Sequence, residues 1–495
     1  MTEPQLLKNK LPKWLKYTIL LFPFVIACFR LRTLDNDFYF LYPTGEYILN
    51  HGFPHTDFLS MHSNMKIVLQ QWLSAVIFYL SYSKLGEIGL FAVLFICYAC
   101  ICIFTYRTIL LITRNELVSA FLAAVSDVLL FNAFIVTRPQ IFTFTILLTE
   151  IYLLEKHTQT GKNKYLIGIP FLSLAQINLH ASMWPMLFAF MLPYIVGAIP
   201  VKIKTFKLEA SGNFIYLMAA LAVSAAIGFI NPYGVDNVIY LTSSYGQNKL
   251  VETITEMRPT DFGTYSGKKM FILAILIGVI VFFLKKKTFS VRFFCLFMGN
   301  LFLSLMHRKG ICYFYIFGLI AFSYLFNDVE VKFPEKVTRI ITKRAEGLIS
   351  AMLILITAVI CAYNLNKSIE DRPGKAVHYN RLDEVVEILE KSEDPVVLYT
   401  NFDDGQYLEY KGFHPYIDGR AELYLLRNNE DYEYYGEYID ISSARMYYRD
   451  FTDRYQFNYL ILNENLDCYL LESLTHDDDF ELVYEKDGVF LFKRI

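Results

Sequence analysis

Residues 34–60, LDNDFYFLYPTGEYILNHGFPHTDFLS, set two aspartates, Asp35 and Asp37, just after an apolar segment and follow them with an amphipathic run. A charged group beside a bilayer is costly unless it meets water, a counter-ion or a substrate, so an acidic pair at the mouth of a first membrane helix marks a candidate site. After Asp37, the apolar residues Phe38, Leu41, Tyr42, Ile48 and Leu49 recur at near-helical spacing while Glu46 and Asn50 project elsewhere, which predicts a helix lying on the membrane. The aspartates then stand at its N-terminal end, where the helix dipole favours negative charge. Ordinary N-capping accounts for one of them. A second, preceded by Arg30 and Arg32 and followed by Asp57, exceeds what a cap requires.

Composition widens this reading to the whole chain. Of 495 residues, 55% are hydrophobic and 17% aromatic, with mean hydropathy +0.34, which predicts an α-helical polytopic membrane protein. The net charge of −2 hides an asymmetry: residues 1–365 carry 32 basic and 19 acidic side chains, residues 366–495 carry 14 and 29. Two domains follow, a transmembrane domain over 1–365 and a soluble one over 366–495. The eight cysteines lie mostly in apolar runs and form no disulfide framework; Cys97 and Cys100 read as small buried side chains, not as a redox or metal pair.

Lys8, Lys10, Lys13 and Lys16 precede the apolar run Tyr17 to Phe29, the pattern of a retained signal anchor. Further apolar segments fall near Ile88–Tyr106, Glu116–Val136, Gln140–Glu155, Tyr165–Leu179, Ser182–Ile199, Gly212–Ile230, Met270–Leu284, Ser290–Leu305, Ile311–Phe326 and Gly347–Tyr363, about eleven spans in all. The equally apolar Val68–Ser83 run is laid in the outer interface, which keeps Lys156, Lys162 and Lys164 inside. With that choice 21 of the 32 basic residues are cytoplasmic. The loop over 33–87 and the acidic C-terminal region are then extracytoplasmic.

At this point the chain resembles a known group. Asp35-Asn36-Asp37-Phe38-Tyr39, Thr44-Gly45-Glu46, His51-Gly52, Pro54, Asp57 and Ser60 are similar to the first outer loop of bacterial membrane proteins with the C-type (GT-C) glycosyltransferase fold. So are Gln71-Trp72-Leu73 and Lys84-Leu85-Gly86. Arg138-Pro139-Gln140, Asn178-Leu179-His180, Asn231-Pro232-Tyr233-Gly234, Glu256 before Arg258-Pro259, Asn401 to Leu408 and Ile417 to Tyr424 extend the resemblance over most of the chain. Phe38-Tyr39-Phe40-Leu41 stands where the group usually carries a histidine.

The resemblance implies an inverting transfer of a sugar from a polyprenyl-phosphate donor to an acceptor on the outer face of a bacterial plasma membrane. Such chemistry needs a carboxylate to take or orient the acceptor hydroxyl proton, and positive charge or a divalent cation for the leaving phosphate. Asp37 is the first candidate base, Asp35 its partner, Asp57 the third, and Glu256 a further acid on a second outer loop. Asp35 and Asp37 are also the candidate ligands of a Mg or Mn ion. Arg138, His180, Arg258, His307, Arg308 and Lys309 are outer basic groups near helix ends, suited to a lipid phosphate; snorkelling to headgroups is the plain alternative for each. The acceptor implied is a polysaccharide, teichoic acid, glycolipid or protein, with membrane lipids as neighbours and no nucleic acid.

The tail reads as a small α/β domain able to fold alone: a helix over Ala376–Lys391, strands at Val396–Thr400 and Tyr459–Asn463, a helix over Arg445–Arg454, and a hairpin around Lys486-Asp487-Gly488. Asp403-Asp404-Gly405 and Asp418-Gly419 are turn signals, with cation or glycan contact as the alternative. The aromatic stretch Tyr424–Tyr448 fits core packing, or stacking on sugars. A flippase, transporter or non-catalytic assembly protein for lipid-linked glycans is the rival class. Transporters more often show internal repeats, and none is visible. No phosphate-cradling Gly-rich loop, HExxH or GxSxG signature points to other chemistry.

Overall fold

The computed structural model describes residues 11–30, 34–203, 206–208, 211–244, 250–251, 254–284, 290–327, 329, 347–357, 359 and 377–495. Lys8, Lys10, Arg32, and the basic connections over 285–289 and 332–344 lie outside the described residues. The chain forms two compact units: Met1–Arg32 with Phe91–Ile230 and Val251–Asp371, and Thr33–Leu90 with Asn231–Leu250 and Arg372–Ile495.

The first unit is helical. Helices occur within each expected apolar segment, among them Lys13–Arg30, Glu116–Phe134, Gln140–Thr160, Trp184–Gly197, Tyr265–Leu284 and Val291–Met306. Local chemistry sets their ends. Asn115 accepts from Leu117 N at 3.1 Å and Val118 N at 3.2 Å to start one helix, and Gly161, at φ 67°, closes another in the left-handed region. Phe144, Leu147, Ile151, Tyr194, Tyr313 and Phe317 lie in a single buried cluster. Among the described residues, two helices, Glu87–Thr113 and Arg308–Phe326, are long and apolar enough to cross a membrane, against the eleven expected. Several of the other apolar helices are shorter: a 16-residue helix such as Val291–Met306 rises about 24 Å, short of a hydrocarbon core of about 30 Å.

The second unit is mixed. Its four-stranded sheet runs in the order Leu398–Tyr399, Tyr459–Asn463, Val489–Arg494, Phe480–Lys486. The first pair is parallel and the rest antiparallel. Asp487 and Gly488, at φ 52° and 78°, make the tight hairpin that an Asp-Gly pair favours. The aromatic stretch packs inward: Tyr424, Tyr434, Tyr435 and Tyr438 are buried.

One expectation changes here. The helix after the aspartates, Asn36–His51, does not spread its apolar face on a membrane. Phe38, Tyr39, Phe40, Leu41, Thr44, Gly45 and Ile48 are buried, against Trp72–Leu85 and Gly405–Tyr410. Hydrophobic periodicity reports that a face is covered, not what covers it. Residues 372–495 of the tail share one compact unit with 33–90 and 231–250.

Candidate functional site

In the second unit, Asp35 occupies the N-cap position of Asn36–His51 with extended backbone, yet its side chain makes no capping hydrogen bond; Asp37 lies in the first turn. The cap reading therefore does not account for Asp35. The neighbouring Asn36 Nδ2 donates to the Asp403 carbonyl at 3.1 Å, tying the start of the helix to the tail. Gly45 sets the helix against its partner, because a Cβ there would stand 2.3 Å from the Ala75 carbonyl oxygen.

Asp57 is placed differently. It is 5% exposed, accepts from Ser60 N at 2.9 Å and from Arg420 Nη1 at 2.6 Å. Arg420 also donates to Glu409 Oε1 at 3.0 Å and through Nε to both oxygens of Asp418 at 3.0 Å, and Tyr424 donates its hydroxyl to Asp418. Three carboxylates around one guanidinium leave an excess of negative charge that burial does not tolerate. Burial and the Asp418 charge push the Glu409 carboxyl well above its usual range, so it holds its proton. Burial also pushes Asp418 up, but the Arg420 charge and hydrogen bonds more than offset this and leave it low. Asp57 is thus a buried partner of Arg420. Of the turn acids, Asp404 accepts from Asn401 Nδ2 at 2.7 Å, and it and Asp418 are fully buried, while Asp403 is exposed.

The first unit gathers the basic candidates. Segment 256–260 pairs with 305–309 through its backbone: Arg308 N donates to Arg258 O at 2.9 Å, Lys309 N to Glu256 O at 3.0 Å and Thr260 N to Leu305 O at 3.0 Å. His307 Nδ1 lies 2.8 Å from Met257 O. Arg138, just before the helix Gln140–Thr160, pairs with Glu256 at 3.0 Å. Gly310 allows the turn after Lys309, since a Cβ there would stand 2.3 Å from Leu303 O. Arg138, Arg258, Arg308 and Lys309 thereby share one locality with two acids, Glu256 and Asp261, the latter 3.9 Å from Arg308 Nη2. Arg308 Nε is buried and has no acceptor among the described residues.

Glu256 is thus a partner of Arg138 within a cationic cluster. His180 is not an exposed cation: it is 5% exposed and bonds Thr143 Oγ1 through Nδ1 at 2.8 Å, while Gln176 Nε2 donates to the His180 carbonyl at 2.8 Å. Among the described residues no group of three or more His, Cys, Asp or Glu is placed to hold a metal ion. The residue missed by sequence reasoning is Arg420. Its signal was present in Asp418-Gly419-Arg420, which a turn alone does not require.

No family model matches the chain, and no curated protein matches it. Solved structures do, among them two of an oligosaccharyltransferase. One is the crystal structure of the oligosaccharyltransferase of Archaeoglobus fulgidus tethered to an acceptor peptide containing the NVT sequon, at TM-score 0.50 and 12% identity over 98% of this chain and 74% of that one. The other is the archaeal oligosaccharyltransferase AglB from Archaeoglobus fulgidus in complex with an inhibitory peptide and a dolichol-phosphate, at TM-score 0.51 and 10% identity over the same shares. The chain, mostly helical with a small C-terminal sheet, therefore has a fold similar to that of the archaeal oligosaccharyltransferase.

Proposed function

We propose that this protein is a membrane glycosyltransferase that moves a sugar from a polyprenyl-phosphate donor to a cell-envelope acceptor on the outer face of a bacterial plasma membrane. The observation that carries the reading is the cationic cluster around Arg308, whose buried Nε lacks an acceptor. An unmet buried donor beside Arg138, Arg258 and Lys309 suits a phosphate oxygen. The dolichol-phosphate bound to the archaeal neighbour supports the same ligand class. Membrane embedding is supported by Tyr265–Leu284, which leaves Phe271, Ile272, Ile275 and Leu276 each at least half exposed, an apolar face that water disfavours.

In the reaction, the Asp37 carboxylate takes the proton of an acceptor hydroxyl as that oxygen bonds to the anomeric carbon. The bond from that carbon to the phosphate oxygen breaks, and the lipid phosphate leaves with the electron pair, inverting the anomeric centre. Positive charge is what stabilises the departing phosphate in such a step. Asp35 and Asp37 would be the residues to hold a Mg or Mn ion, which would supply positive charge for the leaving phosphate.

Asp37→Asn keeps the shape and the helix-end polarity but cannot accept the proton. Purified protein should fold as the parent does and lose transfer by roughly 10²- to 10⁴-fold. Parental turnover of a polyprenyl-phosphate sugar by that variant would remove Asp37 from the mechanism. Arg308→Gln tests the phosphate site separately, and should weaken donor binding while leaving the melting temperature near parental.

A further inference from the structure

The helix Trp72–Leu85, which packs against Asn36–His51, is apolar on two opposite faces. Ser74, Ala75 and Phe78 are buried, on the side where Gly45 of the neighbouring helix closes on Ala75 and Tyr79. At 100° per residue, Leu73, Val76, Ile77 and Leu80 fall on the far side of the helix from those three. None of the four is buried: Leu80 is 37% exposed and the others are partly exposed. A helix with apolar residues all round is ordinarily covered on every side. Its second face therefore calls for a cover that the described residues do not complete.

Chain connectivity identifies the cover. After Leu85 the single residue Gly86, at φ 59°, turns the chain into Glu87–Thr113, a helix long and apolar enough to cross a membrane. At 27 residues that helix rises about 40 Å, the thickness of a hydrocarbon core with its headgroup regions, so its first turn stands at the membrane surface. Leu85, two residues earlier, stands there too. Leu85 and Ile88, on either side of the turn, are both well exposed, as apolar side chains facing lipid are. At 14 residues the helix Trp72–Leu85 rises about 21 Å, too short to cross a core of about 30 Å but suited to lying along its surface. Trp72 opens it with a ring of the kind that gathers at membrane interfaces, and Lys84 ends it with a cation whose stem reaches from lipid back to water. We infer that Trp72–Leu85 lies in the boundary between lipid headgroups and acyl chains, with Leu73, Val76, Ile77 and Leu80 in the lipid and its other face bedding the helix that Asp37 heads. The bilayer is then a supporting wall of the candidate site and fixes the height at which Asp37 stands. The inference rests on the membrane embedding of the proposed function and not on its chemistry.

The test is photo-crosslinking of the full-length protein in the membranes of the cells that make it, with benzoylphenylalanine placed singly at Ile77, Leu80, Ile96 or Asn64 and the adducts identified by mass. Ile96, exposed on the helix Glu87–Thr113, reports lipid, and the exposed Asn64 reports water. Lipid adducts at Ile77 and Leu80 should form within about threefold of the yield at Ile96 and at least about tenfold above that at Asn64. A variant that loses the parental melting temperature is replaced by one at Val76, on the same face. Lipid adducts at Ile96 with no more than the Asn64 yield at Ile77 and Leu80 overturn the inference and leave the membrane reading standing. Adducts to another protein at those two positions overturn it in favour of a partner chain. No lipid adduct at Ile96 defeats the membrane reading and this inference together. Donor turnover is measured separately, and a parent that gives the expected adducts yet transfers no sugar defeats the transfer reading alone.

Discussion

Arg420 shows what one residue contributes and why the sequence alone did not disclose it. Its partner Asp57 lies 363 positions away, so no local pattern links them, and Asp57 was open to a catalytic reading because an isolated acid near a membrane invites one. Arg420→Met should destabilise the protein by roughly 3–5 kcal/mol, because it strands Asp57 and Asp418 as buried uncompensated anions. Adding Asp57→Asn and Asp418→Asn should recover part of the loss in a thermal melt. Glu409 gives the pH dependence. Its carboxyl is raised in the folded state, so the folded chain keeps a proton that the unfolded chain releases near the ordinary glutamate value. Stability from this group is full below that value and declines as pH rises towards the folded one. Burial raises Asp467 from 3.8 to about 7, adding a slope of the same sign. Glu409→Gln, which mimics the protonated acid, should therefore flatten the fall in melting temperature between pH 5 and 8, and an unchanged slope would assign the whole effect to Asp467.

At the scale of elements, period and punctuation were legible. The hairpin around Asp487-Gly488, the strand Tyr459–Asn463 and the helix after the aspartates all stand where alternation, turn residues and helical spacing put them. What covered that helix was not, since the partner face arises from Trp72–Leu85 and Gly405–Tyr410, far apart in sequence. Gly45 is the clearest consequence. A methyl group there meets Ala75 O at 2.3 Å and Tyr79 Cβ at 2.7 Å, so Gly45→Ala must push the helices apart. A cost of about 1–3 kcal/mol is expected from the overlap. Asp37 lies eight residues upstream on the same rigid helix; a displacement of about 1 Å there should lower kcat by up to about 10²-fold. Measuring melting temperature and kcat on the same preparation separates the two effects, and parental kcat in a destabilised variant would show that the helix start is positioned by the tail instead.

Over the whole molecule, charge asymmetry sets residues 366–495 apart in composition, while 372–495 share one compact unit with 33–90 and 231–250, a grouping that composition, which carries no contact information, does not show. A fragment of residues 372–495 keeps Arg420 without Asp57, and should lack a cooperative melting transition. A fragment that melted as sharply as the parent would restore the independent domain expected from sequence. The same unity constrains sidedness. Asn64 and Glu393 belong to one compact unit, so no topology that separates them across a bilayer is compatible with the fold, whereas Gly161, in the other unit, follows the basic run that the positive-inside bias assigns to the cytoplasm. With the exposed Cys468 replaced by serine, single cysteines at positions 64 and 393 should both react with an impermeant thiol reagent on intact spheroplasts. A cysteine at position 161 should react only after permeabilisation. Protection of 64 and 393 together would put Asp37 on the cytoplasmic side and remove the reason for an outer-face lipid donor, and labelling at 161 without permeabilisation would overturn the assignment of that basic run to the cytoplasm.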